Sequence, residues 1–155
     1  MLLYYGINTR RGKDLSDQIK GEYYYTTINF RSGGISKVFD YIISSLRDFI
    51  FLLKWKPRII IVEFAQSNLM LIIAHLVKLF IPSTKVIADC HTATYIPESK
   101  LLIGFNKSKK ILIDKSNAVI LHNEETKELN LHNTQFVIES RIPEKNNTNN
   151  REGNK

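Results

Sequence analysis

The chain has 155 residues, room for one domain but not for two full cores. Hydrophobic residues make up 43% and charged residues 24%, enough apolar material for a packed core, which excludes global disorder. A formal net charge of +7 favours anionic partners without choosing among phosphate, nucleic acid and acidic lipid, and the single cysteine, Cys90, excludes an internal disulfide and fits a reducing, cytoplasmic setting.

Residues 2–8 form a short apolar and aromatic run that lacks the basic start and cleavage site of a signal peptide. They read as a buried strand entering a basic loop, Thr9-Arg10-Arg11-Gly12-Lys13-Asp14. A short helix over 14–20 and a second strand over 22–30, rich in Tyr, Thr and Ile, follow. Ser32-Gly33-Gly34 then makes a turn into the clearest periodic segment of the chain. Ile35, Val38, Phe39, Ile42, Ile43, Leu46, Phe49, Ile50 and Leu53 draw one apolar stripe along a helix that Lys56-Pro57 ends, and this stripe is expected to face the sheet.

Residues 58–63 are a continuous β-branched run, the pattern of a strand buried on both faces, and 67–80 read as the helix that covers it. A strand over 85–89 runs into a polar loop, a lysine-rich helix spans 99–115, a strand spans 118–122, a short helix 124–131 and a last strand 135–139. Strands alternating with helices predict an α/β fold, a Rossmann-like and mostly parallel sheet covered by helices on both faces, with 59–62 and 86–89 as adjacent central strands. The folded domain is placed at 1–143, and the polar residues 144–155 are expected to form a disordered tail. Arg47, Asp48, Lys54 and Lys78 interrupt the apolar runs before any reaches the roughly 18 to 20 residues of a spanning helix.

Ligands of open α/β sheets sit outside the carboxyl ends of the strands, so those ends carry the functional candidates. Asp89-Cys90-His91-Thr92 brings an acid, an imidazole and a hydroxyl onto one loop, groups able to hydrogen-bond a sugar or move a proton; the plainer alternative is a turn capped by Asp89. Dinucleotide and P-loop glycine fingerprints are absent, which disfavours NAD and P-loop chemistry, and four scattered histidines show no metal-ligand spacing. Lys100, Lys107, Lys109 and Lys110 crowd one amphipathic helix, either as a face for anionic lipid or as a solvated lysine surface.

Residues 56–62, 86–91, 115–125 and 136–143, in that order and spacing, resemble the amino-terminal domain of family-4-type GT-B glycosyltransferases of polysaccharide synthesis. The resemblance covers nearly the whole chain. It implies an acceptor-side domain for transfer of a hexosyl group from a nucleotide sugar to a glycan or lipid-linked acceptor. Asp89 and His91 become catalytic candidates, and Thr92, Asn123, Glu124, Arg10 and Gly12 substrate-binding ones. It also implies that the donor half, with its paired glutamates, lies outside this chain, so that the chain holds no cofactor, needs a donor-domain partner and transfers nothing alone. A non-catalytic α/β binding or scaffold module is the competing expectation. No nucleic-acid-binding motif accompanies the positive charge, and nucleic acid is not expected as a partner.

Overall fold

The computed structural model describes residues 1–7, 9–26, 35–64, 68–90, 103–122 and 132–138. Among the described residues six strands form one sheet: β1 (Leu2–Gly6), β2 (Glu22–Tyr25), β3 (Ile59–Phe64), β4 (Lys85–Cys90), β5 (Ala118–Leu121) and β6 (Gln135–Val137). All neighbours pair in parallel, in the order β2-β1-β3-β4-β5-β6. The expected central pair is present, with Ile59 opposite Lys85 and Glu63 opposite Asp89. Its β-branched runs suit strands that bury both faces.

Four described helices flank the sheet: α1 (Arg10–Gln18), α2 (Ile35–Trp55), α3 (Asn68–Phe80) and α4 (Ile103–Asp114). Because side chains alternate along a strand, each strand feeds two cores. Leu3, Ile60, Val62, Val86, Val119 and Leu121 meet Leu52 of α2, Leu71 and Val77 of α3 and Ile113 of α4 on one face. On the other, Tyr4, Ile61 and Ile120 meet Leu15 of α1. Helices therefore cover both faces, as expected. The helix predicted at 124–131 and the tail at 144–155 lie outside the described residues.

Two readings of the sequence are corrected. The basic loop after β1 is instead the first turn of α1, because Thr9 acts as N-cap: its side-chain oxygen accepts from the Gly12 N–H at 3.1 Å. The second correction concerns α2. Most of its apolar stripe does not face the sheet: Val38, Phe39, Ile42, Ile43, Leu46 and Ile50 are exposed, Phe49 and Leu53 pack at the margin of the core, and Asp48 and Leu52 are buried. Asp48 sets this rotation. Its carboxylate accepts from Tyr5 at 2.7 Å, Tyr24 at 2.8 Å and Thr26 at 2.5 Å, three hydroxyls from β1, β2 and the residue after β2. At about 100° per residue, Asp48 lies about 160° around the helix from Leu46, so anchoring the acid inward turns the stripe outward.

Gly12 illustrates a close approach of helix and sheet. A Cβ added there would lie 2.9 Å from ring carbons of both Tyr4 and Tyr23. Inside a helix, Gly to Ala normally stabilises by about 1 kcal/mol. Between two packed rings the overpacking cost of about 1–3 kcal/mol is larger. Gly12→Ala is therefore expected to lower stability, read as a drop in the urea midpoint at unchanged slope; a rise in the midpoint would show that the rings yield freely.

Candidate functional site at the carboxyl edge of the sheet

From β1 the chain moves outward to β2 and then returns past β1 to β3, so the direction of winding reverses between β1 and β3. The carboxyl ends of these two strands flank the crevice where ligands of open α/β sheets bind. Glu63, near the end of β3, occupies this point and is buried. Its Oε2 accepts from the Ile7 N–H at 2.9 Å, and Oε1 lies 3.5 Å from the Thr9 hydroxyl. Gly6 lies close beside it: a Cβ there would lie 2.5 Å from that Oε2 and 3.0 Å from the Tyr4 ring, so the site would have to shift to admit one. Tyr23 clamps the same turn, donating its hydroxyl to the Ile7 carbonyl and accepting from the Thr9 N–H at 3.1 Å.

Along the edge from Glu63, the same face carries Asp89 at the end of β4 and His122 just after β5. Asp89 is 0% exposed. Its Oδ2 accepts from the Tyr4 hydroxyl at 2.6 Å, and its Oδ1 lies 2.6 Å from His122 Nε2. The other ring nitrogen, Nδ1, lies 3.4 Å from the Ile138 carbonyl. Three titratable groups on three neighbouring strands thus form a buried polar row on the α1 face. Each recurs by the two-residue period of its strand: Ile61 then Glu63, Ile87 then Asp89, Ile120 then His122.

No family model matches the chain, and no curated protein is significantly similar to it.

The candidates read from the sequence fall into three groups. Asp89 lies at the edge as expected and is buried there, its carboxylate against the Tyr4 hydroxyl and the His122 ring. Gly12 lies in the first turn of α1, its N–H bonded to Thr9 and its Cα face packed on two tyrosines. Lys109, expected to face lipid, is 8% exposed and belongs to the inner side of α4, while Lys110 is exposed. His91, Thr92, Asn123, Glu124 and Lys100 lie outside the described residues, as do the side chains of Arg10 and Lys107.

Tyr4 and His122 are the site residues that sequence reasoning passed over, and Glu63 stood there only as the carboxyl end of the 58–63 run, with no role of its own. Glu63 and His122 end apolar runs on the face shared with Asp89, so the alternation within each strand was the signal. Tyr4 had none, because its hydroxyl reaches Asp89 across 85 positions of sequence.

Proposed function

We propose that this chain is the acceptor-side domain of a two-domain glycosyltransferase. It would hold a glycan or lipid-linked acceptor at the carboxyl edge of its sheet, while a donor-binding domain, on the same or another polypeptide, supplies the nucleotide sugar. The observation that supports this most is the buried polar row of Glu63, Asp89 and His122 beside the winding reversal of an all-parallel sheet. The row makes a rigid floor, and rigid elements hold reacting groups more precisely than loops alone. Residues 91–92 continue directly from Cys90, and 123–124 from His122, so both segments leave the strands at this floor.

On this reading His91 is the group that meets the acceptor hydroxyl, because an imidazole exchanges protons near neutral pH. Thr92, Asn123 and Glu124 supply hydrogen bonds to sugar hydroxyls. Asp89 and His122 act as positioning residues beneath them. A cleft with one wall neither excludes water nor places donor beside acceptor, so transfer requires the second domain.

The test is a labelled-sugar transfer assay on this chain alone and on the chain joined to a donor domain of a family-4-type enzyme. The lone chain is expected to be inactive and the pair active, with His91→Ala lowering turnover by about 10²-fold. Transfer by the chain alone would refute the half-enzyme reading. Stable association of the two domains without transfer is the result a non-catalytic scaffold would give.

A further inference from the structure

The outward apolar stripe of α2 is the largest feature that the candidate site does not use. Phe39 is 62% and Ile43 65% exposed, and α3 extends the surface with Ile72, Leu76, Leu79 and Phe80. Between the two helices runs an open groove whose lining includes Ile42, Leu46, Phe49, Leu69, Ile72 and Leu76. A contiguous exposed apolar face on this scale marks a surface that something covers.

Its rim identifies the cover. Arg47 follows Ile43 by four residues and Lys54 follows Ile50 by four, so both stand at one margin of the stripe and both are exposed. Lys110 on α4 and Lys115 just after it are exposed, on the same side of the sheet, and the exposed acids of these helices are Asp40 and Asp114 among the described residues. Apolar side chains in the middle and long basic ones at the margin, whose stems lie along apolar surface while their heads reach outward, match the boundary between acyl chains and anionic headgroups. No described helix is long and apolar enough to cross a membrane, so the fit is to lying on a bilayer.

We propose that the α2–α3 face docks this protein onto an anionic lipid bilayer, with Phe39 and Ile43 entering the headgroup boundary and Arg47 and Lys54 meeting acidic headgroups. The contact is made by α2 and α3 and does not require the lysine run of α4. It also stands apart from sugar chemistry. Asp48, the anchor of α2, bonds hydroxyls of Tyr5 and Tyr24 near the carboxyl ends of their strands. The residues of α2 that precede it, about 1.5 Å each along the axis, therefore extend toward and past the carboxyl edge. A docked molecule holds that edge close to the membrane surface.

The experiment is co-sedimentation of the full chain with vesicles of phosphatidylcholine, with and without phosphatidylglycerol. Binding is expected to the phosphatidylglycerol vesicles and to weaken as salt is raised. The double substitution Phe39→Ser with Ile43→Ser, at exposed positions that leave the core intact, is expected to lower binding at least about tenfold, and Arg47→Glu with Lys54→Glu to abolish the preference for phosphatidylglycerol. Circular dichroism of each variant checks the fold. Absence of vesicle binding would overturn the proposal, as would binding that survives Phe39→Ser with Ile43→Ser but is lost on Lys110→Glu. Self-association in sedimentation velocity that the same serines abolish, without vesicle binding, would assign the face to a second copy of the chain.

Discussion

Asp48→Ala is expected to lower the free energy of unfolding by about 3–5 kcal/mol, a large fraction of the 5–15 kcal/mol typical of a domain. The carboxylate is 0% exposed and is the shared acceptor of the Tyr5, Tyr24 and Thr26 hydroxyls. Truncation leaves these donors facing a cavity, and each buried donor without an acceptor costs about 1–3 kcal/mol. Burial, then the adjacent Asp48 charge, raises the Tyr5 phenol well above its ordinary value; burial and the hydrogen bond to Asp48 raise Tyr24. Both phenols are therefore held protonated, as donors, at and above neutral pH. Asp48→Asn keeps one acceptor oxygen and should lose about half as much. Urea denaturation measures the series, and a loss under about 1 kcal/mol for the alanine variant would show that α2 is held by its apolar contacts alone.

Asp89→Ala is the second large effect, expected at about 3–5 kcal/mol because it removes one partner of a buried polar cluster and strands the others. Tyr4 is 0% exposed and its hydroxyl loses the acceptor at 2.6 Å, and the ring of His122 loses the carboxylate 2.6 Å away. Tyr4→Phe removes the need for an acceptor but leaves the buried Asp89 carboxylate one donor short, and should cost about 1–3 kcal/mol. The double variant Tyr4→Phe with Asp89→Ala should then be more stable than the sum of the single losses predicts. Such non-additivity is the signature of groups in contact, and simple additivity would show that the Tyr4 hydroxyl and Asp89 do not interact.

The strands and helices were legible because each is written locally, in β-branched runs and in apolar residues three and four apart. Periodicity establishes that α2 has an apolar side but not where that side points. The inward direction is fixed by Asp48 meeting Tyr5, 43 residues earlier, and Tyr24 and Thr26, 24 and 22 residues earlier. A charged residue inside a helix reads as exposed until those partners are known. The same holds for Asp89: its position at a strand end was visible, whereas its inward role depends on Tyr4 and His122 from other strands. Thr9 was readable as an N-cap in retrospect, but Arg10-Arg11-Gly12 has the look of a loop because no acid marks the first turn of α1.

The burial of Cys90 has a chemical consequence. Its thiol is 0% exposed in the main core, at the end of the strand that pairs with β3. A bulky disulfide reagent therefore meets sulfur only in molecules that have opened there. Where reclosing is faster than reaction, the labelling rate equals the intrinsic thiol rate multiplied by the opening equilibrium constant, so each 1.4 kcal/mol lost from that opening speeds labelling about tenfold. A side chain with no place in the proposed chemistry thus makes the molecule a gauge of its own cohesion.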